Sequence, residues 1–443
     1  MSFARKGILV SAGRLMQILI GMLATVLLTR ILGKAGIGQY DLFQRVSTLA
    51  VTVAAMGFGN ASVFFINNQK IPQTQVATDG FKFSFVMGLV LSAAMGVAYL
   101  TFTDYFGAVT LATGAAYALG TGALLVVALM RAMLVANFQA REMAILDLLQ
   151  PILLLAIGGF LAVIGRLTTE SAMILLAASH VICAGVTLSY VRRSIRMAMA
   201  FDWRLFRQMI AYGVKLAAAN LMYLLLASMS VMLLRYIHKD SFDVVGLYSR
   251  AMNVTMMSVL VPMAMGPLMM AKWAGLSGES LARQVEMAAR VFAAYGAAII
   301  LAMGLVGKYL LIILYGREFA TPEAVGALQI LSISAAAIAV TGVYADFLAS
   351  AGKAMVTTVA LAGGAVLSAV LCLCLIPTYW IVGAAVATLA GNLLNMCVCA
   401  LVCRRLFGVR PSKSWLLTAG DVRYLAGSAL RRRGPSQPDI GGQ

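Results

Sequence analysis

The side chains with the most chemical reach in this sequence are a few fixed cations set inside, or at the ends of, long apolar runs. Arg14 and Lys215 each sit in the first such run of one half of the chain, and each is followed by an amide, Gln17 and Asn220. Arg30, Arg235 and Arg250 fall where runs end. Arg14, Gln17, Gly21 and Thr25 recur at helical spacing, which makes one polar or small stripe on an otherwise apolar helix. Such a stripe must face protein or water, because an unpaired charge in hydrocarbon is costly. A structural account competes for each cation. Arg14 and Lys215 lie near enough to a helix start to reach back to the membrane surface, and Arg30, Arg235 and Arg250 could anchor helix ends at the lipid headgroups.

Nothing assembles a catalytic centre. No P-loop, paired nucleophile and base, or metal-ligand cluster stands out. Six cysteines lie in or at the ends of apolar runs. Residues two apart on a helix point about 200° from each other, so neither Cys372 with Cys374 nor Cys397 with Cys399 easily chelates one metal. His180, alone on an apolar helix, reads as a hydrogen-bonded packing residue, with a proton relay as the alternative. Neither an enzyme, a metal nor a cofactor is expected.

Membrane-crossing helices must position these residues. Hydrophobic residues make up 62% of the 443, charged residues 11%, and mean hydropathy is +0.92; soluble domains carry roughly 25% charged residues. Each apolar run is near the roughly 20 residues that cross hydrocarbon as a helix. No alternating ten-residue pattern points to a barrel. The reading is an all-α polytopic membrane protein with twelve spans, near 8–29, 46–66, 83–102, 111–136, 144–164, 172–190, 210–234, 251–271, 291–314, 324–348, 356–376 and 382–402.

The two halves repeat one plan. Arg5 and Lys6, a run carrying Arg14, an exit at Arg30 and a turn into Gly38-Gln39-Tyr40 match Arg204 and Arg207, a run carrying Lys215, an exit at Arg235 and a re-entry at Gly246-Leu247-Tyr248. The spacing of about 205 residues suggests duplicated halves that face each other across a shared site. The predicted units are a bundle over 1–195, a basic connector over 196–209, a second bundle over 210–403, and a basic, disordered tail over 404–443. The connector, with its arginines and aromatics, suits a short amphipathic helix on the inner leaflet.

Lysine and arginine are concentrated on the side that holds the N-terminus, so both termini are predicted to be cytoplasmic. The net charge of +18 then reflects this bias and attraction to anionic membrane lipids rather than nucleic-acid binding. The first run reads as a retained span rather than a cleaved leader. Pro262, Gly266 and Pro267 free backbone groups within one span and mark a candidate hinge.

Several stretches resemble the Wzx-like polysaccharide and O-antigen flippases of the multidrug/oligosaccharidyl-lipid/polysaccharide exporter superfamily. They are Thr29-Arg30-Ile31-Leu32-Gly33 leading to Gly38-Gln39-Tyr40, Val245-Gly246-Leu247-Tyr248-Ser249, the span from Pro262 to Pro267, and residues 311–331, 346–353 and 375–389, in family order. Two departures are visible: Ser230 fills a place where the family often has aspartate, and Trp380 stands where glycine is common. The resemblance implies a MATE-like, V-shaped pair of six-helix bundles related by a pseudo-two-fold repeat. It also implies a polyprenyl-diphosphate-linked oligosaccharide moving to the outer leaflet of a bacterial inner membrane for exopolysaccharide synthesis. Polymerase and other export machinery would be partners.

Arginine forks and lysine point charges suit the oxygens of such a diphosphate, so Arg14, Gln17, Arg30, Lys215, Asn220, Arg235 and Arg250 are the candidate lining of a cationic cavity. Acidic residues deep in spans are nearly absent, with Asp147 and Asp346 near cytoplasmic ends. The alternative is a cation-coupled drug or metabolite antiporter, which needs an embedded carboxylate; the first span has none.

Overall fold

The structure, a computed structural model, describes residues 3–409 except 70, 109, 138, 196–199, 240 and 274–277. Among the described residues the chain is helical, with no strand. The helices are α1 (Phe3–Ala55), α2 (Phe58–Asn67), α3 (Gln73–Thr101), α4 (Thr103–Phe106), α5 (Leu111–Ala136), α6 (Ala140–Val163), α7 (Thr169–Ser194), α8 (Trp203–Ile237), α9 (Asp243–Trp273), α10 (Gly278–Tyr315), α11 (Pro322–Ser350) and α12 (Ala354–Phe407). Ten are long and apolar enough to cross a membrane.

Two of the ten cross twice. At 53 residues α1 would be about 80 Å long if straight, more than double the ~30 Å of hydrocarbon. It breaks at Gly33, with φ 66°. The segments on either side of the break then line one cavity together. α12 breaks at Trp380, with φ 51°, and doubles back so tightly that a Cβ on Gly383 would meet the Leu375 carbonyl. Among the described residues the result is a multi-pass membrane protein of twelve crossings, the number expected from hydropathy.

The boundaries differ at informative places. Residues 34–45 were expected as a polar turn before a span at 46–66, yet they are helical, and that crossing runs from just after Gly33 to Ala55 and continues as α2. Gln39, Asp41, Gln44 and Arg45 lower the hydropathy but find protein partners or a cavity, so the helix tolerates them. The connector also differs from the amphipathic surface helix expected: residues 196–199 lie outside the described residues, and Trp203 opens α8 itself. Its first turns bury Leu205, Phe206 and Met209 against the first half while Arg204 and Arg207 stay exposed. The tail from residue 410 onward also lies outside the described residues.

Local signals set the helix starts. Thr110, Thr168, Asp202 and Thr321 each accept a hydrogen bond from the backbone N–H three residues on, which satisfies an otherwise orphaned donor. The six crossings of α1 to α7 pack chiefly on one another, as do the six of α8 to α12; α1 against α9 and α2 against α8 join the two sets. Large apolar side chains such as Leu19, Phe85, Phe160, Leu301, Ile313 and Val366 point outward, as helices solvated by lipid require.

A polar chamber below an arginine-sealed end

The chain crosses back and forth between a turn end, which holds Gly33, His238 and Trp380, and an opposite end, which holds Phe3 and Phe407. At the turn end the two halves meet backbone to backbone. A Cβ on Gly38 would lie 2.2 Å from the Phe242 carbonyl oxygen, and one on Gly246 would lie 2.1 Å from that of Lys34. Only glycine lets α1 and α9 approach so closely.

Three of the candidate arginines work at this seal. Arg250 is fully buried. Its guanidinium donates to Thr29 Oγ1 at 2.9 Å, forms an ion pair with the Asp41 carboxylate, and lies 5.5 Å from the Tyr315 ring centre. Arg235, 3% exposed, donates from Nε to the Tyr105 carbonyl at 2.8 Å and from its other nitrogens to the carbonyls of Asp104, His238 and Lys239. It also stacks over Phe242 at 3.7 Å. Arg30 donates to the carbonyls of Ile313 and Leu314, which the end of α10 leaves without helical partners. Each guanidinium therefore ties an element of one half to the other. The expectation that Arg235 and Arg250 ring a cationic cavity is corrected: protein oxygens surround both, and the charge of Arg250 is matched by Asp41. Arg45 adds a bond to the Ala227 carbonyl at 3.2 Å.

Asp41 is the functional residue that sequence reasoning missed. It follows Gly38-Gln39-Tyr40 closely, and Arg250 follows Gly246-Leu247-Tyr248 closely; opposite charges after the two repeated turns were the available signal.

Beneath the seal lies a chamber of about 230 Å³. Gln17, Gly21, Thr25 and Leu28 come from the first arm of α1, Tyr40, Asp41 and Gln44 from the second, Gln150 and Pro151 from α6, and Asn253 from the other half. The stripe read from the sequence thus faces this space from Gln17 to Thr25. Gln150 Nε2 lies 3.1 Å from His180 Nε2, so His180 has the hydrogen-bonded packing role. Toward the opposite end, a turn before Gln17, Arg14 is exposed. Its neighbours are Asp147, which pairs with Arg131, and α6, where Gly13 packs on Ala144.

Lys215 and Asn220 are both exposed but do not share a face, being about 140° apart round α8. Asn220 continues the face of Gly213 and Ala217, which touch Gly57 of the first half. Lys215 continues the face on which Leu226 packs against α12. The structure therefore puts Gln17 in the chamber lining with the exposed Arg14 one turn away on the same helix, and Asn220 on the face of α8 that meets the first half, but it does not bring Lys215 to that face.

A second chamber of about 300 Å³ lies within the second half, lined by Tyr223, Pro262, Gly266, Asp346, Asn392 and Asn395 among others. α9 remains helical through Pro262 and Pro267. The Ser258 carbonyl that Pro262 cannot serve accepts from the Tyr295 hydroxyl at 2.6 Å. A Cβ on Gly266 would meet the Asp346 carboxylate at 2.5 Å. Ser230 sits in a neutral buried network, 2.5 Å from Thr388 Oγ1 and 3.5 Å from Cys372 Sγ, with the Tyr248 hydroxyl 2.9 Å from Thr388 Oγ1. Among the described residues no three His, Cys, Asp or Glu side chains converge as a metal site.

Residues 3–270 match the family model described as polysaccharide biosynthesis protein. No curated protein matches the chain. Among solved structures, an inward-closed lipid II flippase MurJ is similar with a TM-score of 0.74 and 11% identity, over 97% of this chain and 94% of that one. An inward-facing multidrug resistance MATE family transporter of the MOP superfamily is similar with a TM-score of 0.73 and 12% identity, over 90% and 98%. A MOP superfamily transporter from Pyrococcus furiosus, whose binding pocket is described as of reverse polarity, gives 0.64 and 14% over 91% and 95%. Identities this low carry the fold alone, whereas the family match spans more than half of the sequence: this chain belongs to the polysaccharide biosynthesis protein family and has the fold of MOP superfamily transporters.

Proposed function

We propose that the protein is a flippase that carries a polyprenyl-diphosphate-linked oligosaccharide repeat unit from the inner to the outer leaflet of a bacterial plasma membrane, with both termini in the cytoplasm. The units 1–195 and 210–403 rock against each other by alternating access, and the turn end is the outer gate. The observation that carries this reading is a polar chamber that is sealed toward the turn end by arginines already matched by protein oxygens, and that has the exposed Arg14 at its other end. An anionic diphosphate entering from the cytoplasm meets an exposed guanidinium first, which offsets the cost of leaving water. The seal must then open for release. The residues of α9 around Pro262, Gly266 and Pro267 supply a hinge, because their backbone hydrogen bonding is already incomplete.

In cells, deletion of the protein is expected to trap lipid-linked repeat units on the cytoplasmic leaflet and to abolish surface glycan; an unchanged glycan and lipid-linked pool would reject the reading. Arg14→Ala is expected to reduce export at least tenfold at unchanged membrane abundance, tenfold corresponding to about 1.4 kcal/mol. Lys215→Ala, off that surface, is expected to have a smaller effect. One observation favours a cation-coupled antiporter instead: Asp346 puts a carboxylate in the second chamber. Dye efflux from proteoliposomes that follows an ion gradient and is lost in Asp346→Asn would support that alternative.

A further inference from the structure

We infer that the first chamber is a subsite for one uncharged pyranose ring of the glycan, read by side-chain amides, and that the diphosphate stays behind at Arg14. This rests on the flippase reading and adds to it the class of sugar that the site accepts.

The argument begins with what lines the space. The side-chain amides of Gln17, Gln44 and Asn253 have no hydrogen-bond partner among the described residues, and that of Gln150 has only His180. Each amide offers both donors and an acceptor, the combination that matches sugar hydroxyls and an N-acetyl group. No basic side chain is among the lining residues: Arg250 is fully buried and paired with Asp41, Arg45 donates to the Ala227 carbonyl, and Arg14 lies one turn before Gln17. A sugar carboxylate in this chamber would leave water without a counter-charge and face the matched Asp41, an unfavourable exchange. The chamber, about 230 Å³, has room for one ring with its substituents.

The placement also fits the geometry of the substrate. Arg14 precedes Gln17 by one helical turn, about 5 Å, which is the scale of a diphosphate joined to its first sugar. With the His180 ring proton on Nδ1, its Nε2 accepts from Gln150, fixes that amide, and leaves the Gln150 carbonyl oxygen and second N–H for the ring. His180 is therefore a positioning residue, outside the chamber lining. Asn253, from the second half, closes the ring of amides, so the bound sugar touches both halves at the level just below the seal.

The test uses purified full-length protein in lipid nanodiscs and three probes: a short prenyl diphosphate, the same lipid bearing N-acetylglucosamine, and the same lipid bearing glucuronic acid. The wild type is expected to bind the N-acetylglucosamine probe about tenfold more tightly than the bare diphosphate, and the glucuronic acid probe no more tightly than the bare one. Gln150→Leu and His180→Phe are each expected to reduce the ratio between the sugar and bare probes by about threefold to tenfold. His180→Gln, which keeps a hydrogen-bonding group near Gln150, is expected to restore most of that ratio, an outcome that loss of packing alone would not give. If Gln150→Leu does not purify as a folded species, Asn253→Leu in the other half provides the same reading. Equal binding of the bare and N-acetylglucosamine probes, or preference for glucuronic acid, overturns the subsite while leaving the flippase reading intact. Failure of the wild type to bind any of the three overturns both.

Discussion

The pair Asp41 and Arg250 shows how a single charge changes role with its surroundings. In the sequence, Arg250 is a cation at the end of an apolar run, equally suited to a cavity or to the headgroups. In the structure it is fully buried, and the carboxylate that matches it comes from the other half. Removing one partner of a buried pair leaves an uncompensated charge and costs about 3–5 kcal/mol, whereas replacing both with apolar groups of similar size is often near neutral. Because the two residues lie in different halves, the penalty falls on the sealed state rather than on folding. Arg250→Ala is expected to open the turn end, read as faster labelling of a cysteine at the buried position Ile37 by an impermeant maleimide in a cysteine-free background; Asp41→Leu with Arg250→Met is expected to slow it again. Slow labelling in the single variant would mean that the glycine contact alone holds the seal. Gln17 and Arg14 were legible from spacing, because one helix face settles where they point. Asp41 was not, because its meaning depends on a partner 209 positions away.

The same contrast holds for whole elements. Hydropathy located twelve crossings because crossing hydrocarbon constrains composition directly, but it missed that residues 34–45 are helical, since a helix between two bundles can carry polar side chains that lipid would not tolerate. The two double-crossing helices show what a tight reversal demands. Gly33 adopts φ 66° without strain, while Trp380 adopts φ 51°, ψ −125°, a conformation that favours glycine at the first central position of a type II′ turn. The departure from glycine noticed in the sequence is therefore a backbone feature. Trp380 offsets its strain by lying 4.6 Å, ring centre to ring centre, from His238, which joins the reversal to the end of α8. Trp380→Ala loses that contact and keeps the strain, whereas Trp380→Gly loses the contact and relieves it. The glycine variant is expected to be more stable than the alanine variant by about 1 kcal/mol, measured as the difference in thermal unfolding midpoints in detergent. Equal midpoints would place the positive φ at no energetic cost.

For the molecule as a whole, the contacts between halves are unequal at its two ends. Both ends have a glycine contact, Gly38 with Phe242 and Gly246 with Lys34 at the turn end and Gly57 with Gly213 where α2 meets α8, but the turn end adds three arginines and the ion pair. A transporter that alternates must be able to exchange a seal at one end for a seal at the other, and the halves of this structure are fixed at the turn end by backbone contact that no side chain can share. Gly38→Leu places four carbons where the Phe242 carbonyl stands, and Gly246→Leu does the same against Lys34. Gly38 lies five residues after the break of α1 at Gly33, and Gly246 lies in the first turn of α9, so the clash is relieved by separation of the halves as bodies or by deformation of these helix starts. Spin labels at the exposed positions Arg166 and Arg317, one in each half, are expected to report a longer distance in either variant than in the wild type, with export reduced because the sealed state is no longer reached. An unchanged distance with export lost would instead mean that the helices deform around the new side chain, and the turn end would not be the gate that the rocking of two rigid halves requires.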